Sequence, residues 1–171
     1  LKAEHVVLTA HLDHVGVDKP VNGDAVYNGA MDNASGIASL IESGRALKKA
    51  RPKRSVLLLA VTAEERGLLG SRYYANRPTV PAASLAANIN MDMFLPLWPF
   101  THVTALGAEE STLGAVSAEA ARGVGARQVP DEAPERNLFV RSDQYSFVRT
   151  GVPALALKFA AVSPAEQAIQ K

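Results

Sequence analysis

Two adjacent carboxylates, Glu64 and Glu65, follow an apolar run that begins at Val56, and a glycine, Gly67, comes soon after them. This pattern is typical of a buried strand that presents acidic side chains at its C-terminal end. Neighbouring side chains there point in different directions, so one carboxylate can bind a cation while the other faces whatever the cation holds. Alone, the pair is a weak signal, because an ordinary solvated strand end can carry the same residues.

Further potential ligands follow other predicted strands. His11 and Asp13 come after the first apolar strand, Asp92 comes after the third, and Asp32 lies on a loop that leads into a helix. If the strands are parallel, their ends meet at one edge of the sheet. One imidazole and three carboxylates suit zinc or a related divalent ion, and a shared carboxylate would give a two-metal site. Asp13 could orient the His11 imidazole without binding the ion.

Strands and helices alternate along the chain. Such alternation is typical of folds in which a largely parallel sheet carries helices on both faces. We therefore expect a single domain, residues 1–171, with a three-layer α/β/α architecture and a mostly parallel central sheet. The predicted strands cover 6–10, 55–63, 85–91, 102–106 and 154–159. The predicted helices run from an N-cap at Asp32 or Asn33 to Ala50, over 68–76, over 110–122, and from Ser163 to the end at Lys171, and a short helical piece ends at Arg149.

Polar segments that are rich in turn-forming residues separate these elements and are predicted to be loops or irregular. They are 18–28, the loop that contains Pro96, Trp98 and Pro99, and 124–137. Near the C-terminal end, Ser163 and Glu166 have the spacing of a capping box, which predicts the start of a helix.

The composition suits one soluble domain with a sizeable core, since 47% of the 171 residues are hydrophobic and 20% are charged. No apolar run approaches the ~20 residues that a membrane-spanning helix needs. The net charge of +1 gives no general attraction for nucleic acid or an anionic membrane. The chain has no cysteine, so disulfides and thiolate ligands are excluded, and a metal site must use carboxylates and imidazoles.

Four short motifs contain these candidate ligands and their neighbours. They are His11-Leu12-Asp13, Gly29-Ala30-Met31-Asp32-Asn33-Ala34-Ser35-Gly36, Thr62-Ala63-Glu64-Glu65-Arg66-Gly67-Leu68-Leu69-Gly70-Ser71 and Asn90-Met91-Asp92-Met93. In this order and spacing they resemble the zinc-dependent aminopeptidases, a family of co-catalytic two-zinc metallopeptidases of the aminopeptidase Y or leucyl aminopeptidase type. The resemblance extends beyond them to 141–147 and 151–154 and so covers nearly the whole chain.

The resemblance implies the phosphorylase/hydrolase-like fold of zinc exopeptidases and the removal of N-terminal residues from peptides. It implies that His11 and Asp92 bind one Zn²⁺, that Glu65 binds a second, and that Asp32 bridges the two. Glu64 would be the general base for the attacking water, and we count Asp13 with it among the catalytic residues. By the same resemblance we expect a peptide substrate and an extracellular or periplasmic location, while the sequence leaves the oligomeric state open.

One departure concerns the second zinc. The family supplies a further histidine to the ion that Glu65 binds, beyond the last strand and the next helix, whereas no histidine follows His102 here. We therefore expect a catalytic domain that is incomplete at both ends, with a second zinc that is weakly held or absent. His14 is interpreted as a loop histidine near the site without a ligand role, and His102 as structural.

Two other functions stay open at this point. A related two-metal carboxypeptidase or amide deacylase would present similar ligands at its strand ends. A catalytically impaired domain that binds a partner would explain the absent histidine. Against this last interpretation, a domain that only keeps the fold has no need of Glu64 beside a metal ligand.

Overall fold

The computed structural model describes residues 1–95 and 97–170, so Pro96 and Lys171, which the sequence placed in a loop and in the last helix, lie outside the described residues. The strands are β1 (His5–His11), β2 (Gly16–Val21), β3 (Asp24–Tyr27), β4 (Ser55–Val61), β5 (Leu85–Met91), β6 (His102–Leu106), β7 (Arg127–Val129) and β8 (Ala154–Phe159), and the helices are α1 (Ser35–Ala50), α2 (Leu69–Asn76), α3 (Leu113–Gly123), α4 (Gln144–Val148) and α5 (Pro164–Gln170).

Six of these strands form one sheet in the order β4-β1-β5-β8-β6-β7. All neighbours in it are parallel except β6 and β8, which run antiparallel. This confirms the expectation of a mostly parallel central sheet. Because β1 lies between β4 and β5 and is parallel to both, the C-terminal ends of these three strands share one edge.

Helices cover both faces of this sheet. Consecutive side chains of a strand point to opposite faces, and in β1 Val7 packs into a cluster with Ala75 of α2 and Phe147 of α4. Its neighbour Leu8 packs on the other side against Leu40 of α1. Burying both faces of β1 confirms the predicted three-layer α/β/α architecture. Among the described residues, no helix has the length and apolar character needed to cross a membrane.

The expected loop at 18–28 is wrong in part, because β2 and β3 form an antiparallel hairpin there. Asn22 and Gly23 make its turn with positive φ angles of 52° and 88°. An Asn-Gly pair is a strong hairpin signal. The sequence pattern did not reveal the hairpin, because all of β2 is exposed and carries no alternating apolar face.

The segment 124–137, expected to be irregular, contains a short edge strand. β7 pairs in parallel with β6, with Arg127 opposite His102. A strand of three residues is too short to show a hydrophobic alternation, so the pairing depends on the neighbouring strand rather than on a local pattern.

Capping residues were predicted for two helices, α1 and α5, and the structure confirms only one of these predictions. The capping box at α5 is confirmed, because Ser163 N–H donates to the Glu166 carboxylate at 2.9 Å and Glu166 N–H donates to the Ser163 hydroxyl at 3.3 Å. At α1 the N-cap position is Ala34 rather than Asp32 or Asn33. The Asn33 amide oxygen nevertheless accepts from Gly36 N–H at 2.9 Å and so satisfies one free donor of the first turn.

We predict that Gly36→Ala lowers the free energy of unfolding by about 1–3 kcal/mol, the usual cost of overpacking. An added Cβ at Gly36 would collide with the Met91 carbonyl oxygen and the Asn33 side chain. Chemical denaturation would measure the change. Gly123→Ala is the matched helical control, because nothing lies within 4 Å of its Cβ position and stability should be unchanged or slightly higher. Equal stability of both variants would contradict the prediction.

Candidate metal centre

The candidate site lies at the edge where β1, β4 and β5 end. His11 is the last residue of β1, Asp92 directly follows β5, and Asp32 precedes α1. The His11 Nε2 atom is 3.0 Å from Asp32 Oδ1 and 4.0 Å from Asp92 Oδ1. These three residues, called the first ligand group below, therefore meet as the sequence predicted.

A second ligand group comprises His14, Asp32 and Glu65. His14 Nδ1 is 2.6 Å from Glu65 Oε1 and 3.8 Å from Asp32 Oδ2. In each group the candidate ligand atoms lie within 4.8 Å of one another, which is close enough to surround one ion. Asp32 belongs to both groups and offers one oxygen to each, so it has the position of a bridging carboxylate.

The polar atoms of both groups fit a cation better than they fit one another. Among the described residues, His11 Nε2, His14 Nδ1 and Asp32 Oδ1 are buried and make no hydrogen bond. They approach their neighbours closely without the alignment of a hydrogen bond, as ligands do when they point at a common ion. Buried polar atoms are rarely left unsatisfied. Imidazole nitrogens combined with carboxylate oxygens are the donor set that zinc accepts.

The ring of His11 is held so that its Nε2 atom is free to bind a cation. Its Nδ1–H donates to the main-chain carbonyl of Asp13 at 2.8 Å, and this leaves Nε2 facing the carboxylates. The expected orientation by Asp13 therefore comes from its carbonyl rather than from its carboxylate. That carboxylate instead accepts from Ala63 N–H at 2.8 Å and from the Thr62 hydroxyl at 2.7 Å, and so fixes the turn that carries Glu64.

Asp92 is oriented by two residues that the sequence analysis did not single out for this role. The Ser142 hydroxyl donates to Asp92 Oδ2 at 2.6 Å. The Lys158 ammonium lies 3.5 Å from Asp92 Oδ1 and donates to its carbonyl oxygen at 2.5 Å. Neither contact leaves a sequence signal, because Ser142 and Lys158 are far along the chain and reach Asp92 only through the fold.

The interpretation of His14 as a bystander does not agree with its position in the second ligand group. A signal was present in the sequence, since His14 follows His11 by only three residues, close to the end of β1. His102 lies on β6, outside both ligand groups, which agrees with the expected structural role.

The charges of the first ligand group are strongly coupled. Burial disfavours a charged imidazole at His11, but the contact with Asp32 and the charge of Asp92 oppose burial and raise its pKa to about 9. The same contact with His11 lowers the pKa of Asp32, although burial acts against it. A proton on His11 and a bound cation are thus alternative ways to supply the positive charge that these carboxylates require.

Glu64 has a different environment from Glu65. Burial raises the pKa of Glu64 to about 7, and the negative charge of Asp92 adds to the effect. Glu64 belongs to neither ligand group, yet it lines the same cavity as Asp32, Glu65 and Asp92. A carboxylate that gains and loses a proton near neutral pH, beside a group of ligands, is suited to general base catalysis.

Comparison with protein families gives one match that spans nearly the whole chain. A model of peptidase family M28 matches residues 2–168. Among individual relatives, a probable zinc metalloprotease of Pyrenophora tritici-repentis is 37% identical over 87 residues, which are 51% of this chain and 18% of the relative. Aminopeptidase YwaD of Bacillus subtilis is 33% identical over 94 residues, which are 54% of this chain and 19% of that protein.

Solved structures agree with the fold. A zinc aminopeptidase from Bacillus subtilis superposes with a TM-score of 0.75 at 24% identity, covering 96% of this chain and 38% of that one. An aminopeptidase from Aneurinibacillus sp. strain AM-1 gives a TM-score of 0.68 at 23% identity, with 94% and 36% covered. The chain thus spans well under two thirds of these relatives, and the likeness in structure shows the α/β/α fold.

We predict that Asp13→Ala lowers both the melting temperature and the affinity for zinc. Without the carboxylate, Ala63 N–H and the Thr62 hydroxyl lose their acceptor, which costs about 1–3 kcal/mol when such a donor stays unsatisfied. Calorimetry and zinc titration would measure the two effects. Asp18→Ala is the control, because the Asp18 carboxylate is exposed and, among the described residues, accepts only from the adjacent Lys19 N–H. Wild-type zinc affinity in Asp13→Ala would refute a role in positioning the turn.

Proposed function

The chain belongs to peptidase family M28, and on that premise we propose that it forms the catalytic part of a zinc-dependent exopeptidase that hydrolyses N-terminal peptide bonds. The observation that carries the proposal is the pair of ligand groups that share Asp32, with Glu64 beside them. The relatives named zinc metalloprotease and aminopeptidase support the same choice.

In this proposal His11 and Asp92 would hold one zinc, Glu65 and His14 would hold a second, and Asp32, which belongs to both ligand groups, would contribute to both. Bound zinc supplies an acidified water and an electrophile for the carbonyl oxygen of the scissile bond. The residues around the ligands keep this arrangement fixed: the Asp13 carbonyl holds His11, and Ser142 with Lys158 holds Asp92. Such supporting contacts maintain the ligand geometry between turnovers.

Glu64 is the general base of the proposed reaction. Its carboxylate takes a proton from the attacking water and returns it to the nitrogen of the leaving amine, so that the proton is conserved over the cycle. Burial serves this role because it raises the pKa of Glu64 to about 7, where both protonation states are accessible. The adjacent Glu65 points into the second ligand group and acts as a ligand instead.

We expect Glu64→Gln to reduce kcat by at least about a hundredfold, the usual contribution of general base catalysis. Zinc content should stay at the wild-type level, because Glu64 belongs to neither ligand group. Steady-state hydrolysis of aminoacyl amides and elemental analysis of the same protein would measure both. Glu119→Gln, an exposed change on α3, is the control and should leave kcat unaltered. Wild-type turnover by Glu64→Gln would remove the assignment.

Asp32→Ala should abolish binding of both zinc ions, because one Asp32 oxygen contributes to each ligand group. In the same experiment His14→Ala should reduce the zinc content from two ions per chain to one, since His14 is assigned to the second ion alone. Elemental analysis after dialysis against limiting zinc would give the stoichiometry, and Asp24→Ala, in the exposed β2–β3 hairpin, is the control. Two ions retained in Asp32→Ala would exclude the bridge, and two retained in His14→Ala would exclude that ligand.

A further inference from the structure

The cavity next to the ligand groups is lined by charged side chains of both signs. It measures about 950 Å³, and Asp32, Glu64, Glu65 and Asp92 contribute carboxylates to its lining. Four arginines that come from different parts of the chain also line it: Arg72 on α2, Arg136 on a 3₁₀ turn, Arg141 before α4 and Arg149 at the end of α4. These four residues are called the arginine wall below.

The guanidinium groups of the arginine wall have no partner within the described part of the chain. None of them makes an ion pair or a side-chain hydrogen bond there, and all four are exposed to solvent. Outside the cavity, by contrast, Arg45 pairs with Glu42 and Arg54 pairs with Glu4. The arginine wall therefore keeps its hydrogen-bond donors free to meet a molecule that enters the cavity.

The arginine wall differs from an ordinary solvated charge cluster. The chain has one such cluster at the C-terminal end of α1, where Lys48 and Lys49 are consecutive in sequence and complement the helix carbonyls. The arginine wall is instead assembled by the fold from residues up to 77 positions apart, Arg72 to Arg149, around one concavity. Like charges gathered this way repel one another, and a bound anion relieves that repulsion.

We infer that the arginine wall recognises a carboxylate of the substrate, so that the favoured substrates are short peptides carrying a free carboxylate near the scissile bond. This inference rests on the proposed exopeptidase function and names its substrate class. Guanidinium groups suit the role because they bind a carboxylate through two parallel hydrogen bonds. The carboxylate can be an acidic side chain after the scissile bond or the C-terminus of a dipeptide.

The test compares the binding of three peptides to the full chain in its Glu64→Gln, zinc-loaded form, by calorimetry. Leu-Gln-amide has no carboxylate, Leu-Glu-amide has one on the side chain, and Leu-Gln with a free C-terminus has one on the main chain. We expect at least one acidic peptide to bind about ten- to a hundredfold more tightly than Leu-Gln-amide, the effect of a charged hydrogen-bonded pair. Whichever peptide gains identifies the source of the carboxylate, and equal affinity for all three would overturn the inference.

The arginines are tested in the same Glu64→Gln background. The double change Arg72→Gln and Arg141→Gln should remove the preference for the acidic peptide, and Arg141→Lys should keep part of it. Arg122→Gln, exposed on α3 and outside the cavity, should bind all three peptides as the parent does. A preference that persists in the double variant would overturn the assignment to the arginine wall.

Turnover separates this inference from the proposed function. In the chain with Glu64 intact, the acidic preference should appear mainly in KM, because the arginine wall contributes to substrate binding and supplies no group to the reaction. Hydrolysis of all three peptides with equal KM would agree with the proposed exopeptidase function but would overturn the inferred substrate class. A complete lack of hydrolysis would contradict the exopeptidase, while the binding measurements would still decide what the arginine wall recognises.

Discussion

The parallel pairing of β1 with both β4 and β5 is the constraint on which the site depends. Its register places His11 opposite Val61 and Thr9 opposite Asn90, so the three strands end at nearly the same level. Ligands that lie up to 81 residues apart, from His11 to Asp92, are thereby brought within a few ångströms of each other. A slip of one residue would turn the side chains to the other face and scatter the ligands, which makes this register a requirement of function as well as of the core.

Beneath the ligands the sheet is polar, and this polarity stabilises Asp92. The Thr9 hydroxyl donates to Asn90 Oδ1 at 2.8 Å, Asn90 Nδ2 donates to the Ser142 hydroxyl at 2.9 Å, and Ser142 donates to Asp92 Oδ2 at 2.6 Å. All of these residues are buried, so each bond acts in a medium of low dielectric, where it is strong and where its loss is costly. This chain of hydrogen bonds connects the central strands to the candidate ligand Asp92 and explains why β5 is not uniformly apolar.

Much of the fold and four of the five residues in the two ligand groups could be predicted from the sequence, since the signals for them are local. Apolar runs identified the five longer strands of the sheet, and the acidic or imidazole side chains at their ends identified His11, Glu65 and Asp92. The hairpin at Asn22 was missed because its strands are exposed, and β7 was missed because a three-residue strand has no period to detect. Contacts such as that of Lys158 with Asp92 depend on the pairing of distant strands, which no local pattern encodes.

The different roles of Glu64 and Glu65 follow from their surroundings rather than from their chemistry. Both are glutamates that follow β4, but Glu65 belongs to the second ligand group, where its Oε1 atom lies 2.6 Å from His14 Nδ1. Glu64 is half-buried, and both this burial and the negative charge of Asp92 raise its pKa and favour its protonated form. In the proposed reaction a ligand must stay charged and a base must change its charge, so the turn fixed by Asp13 would separate these two proposed functions between adjacent residues. The position of that turn therefore matters as much to the proposed chemistry as the two carboxylates themselves.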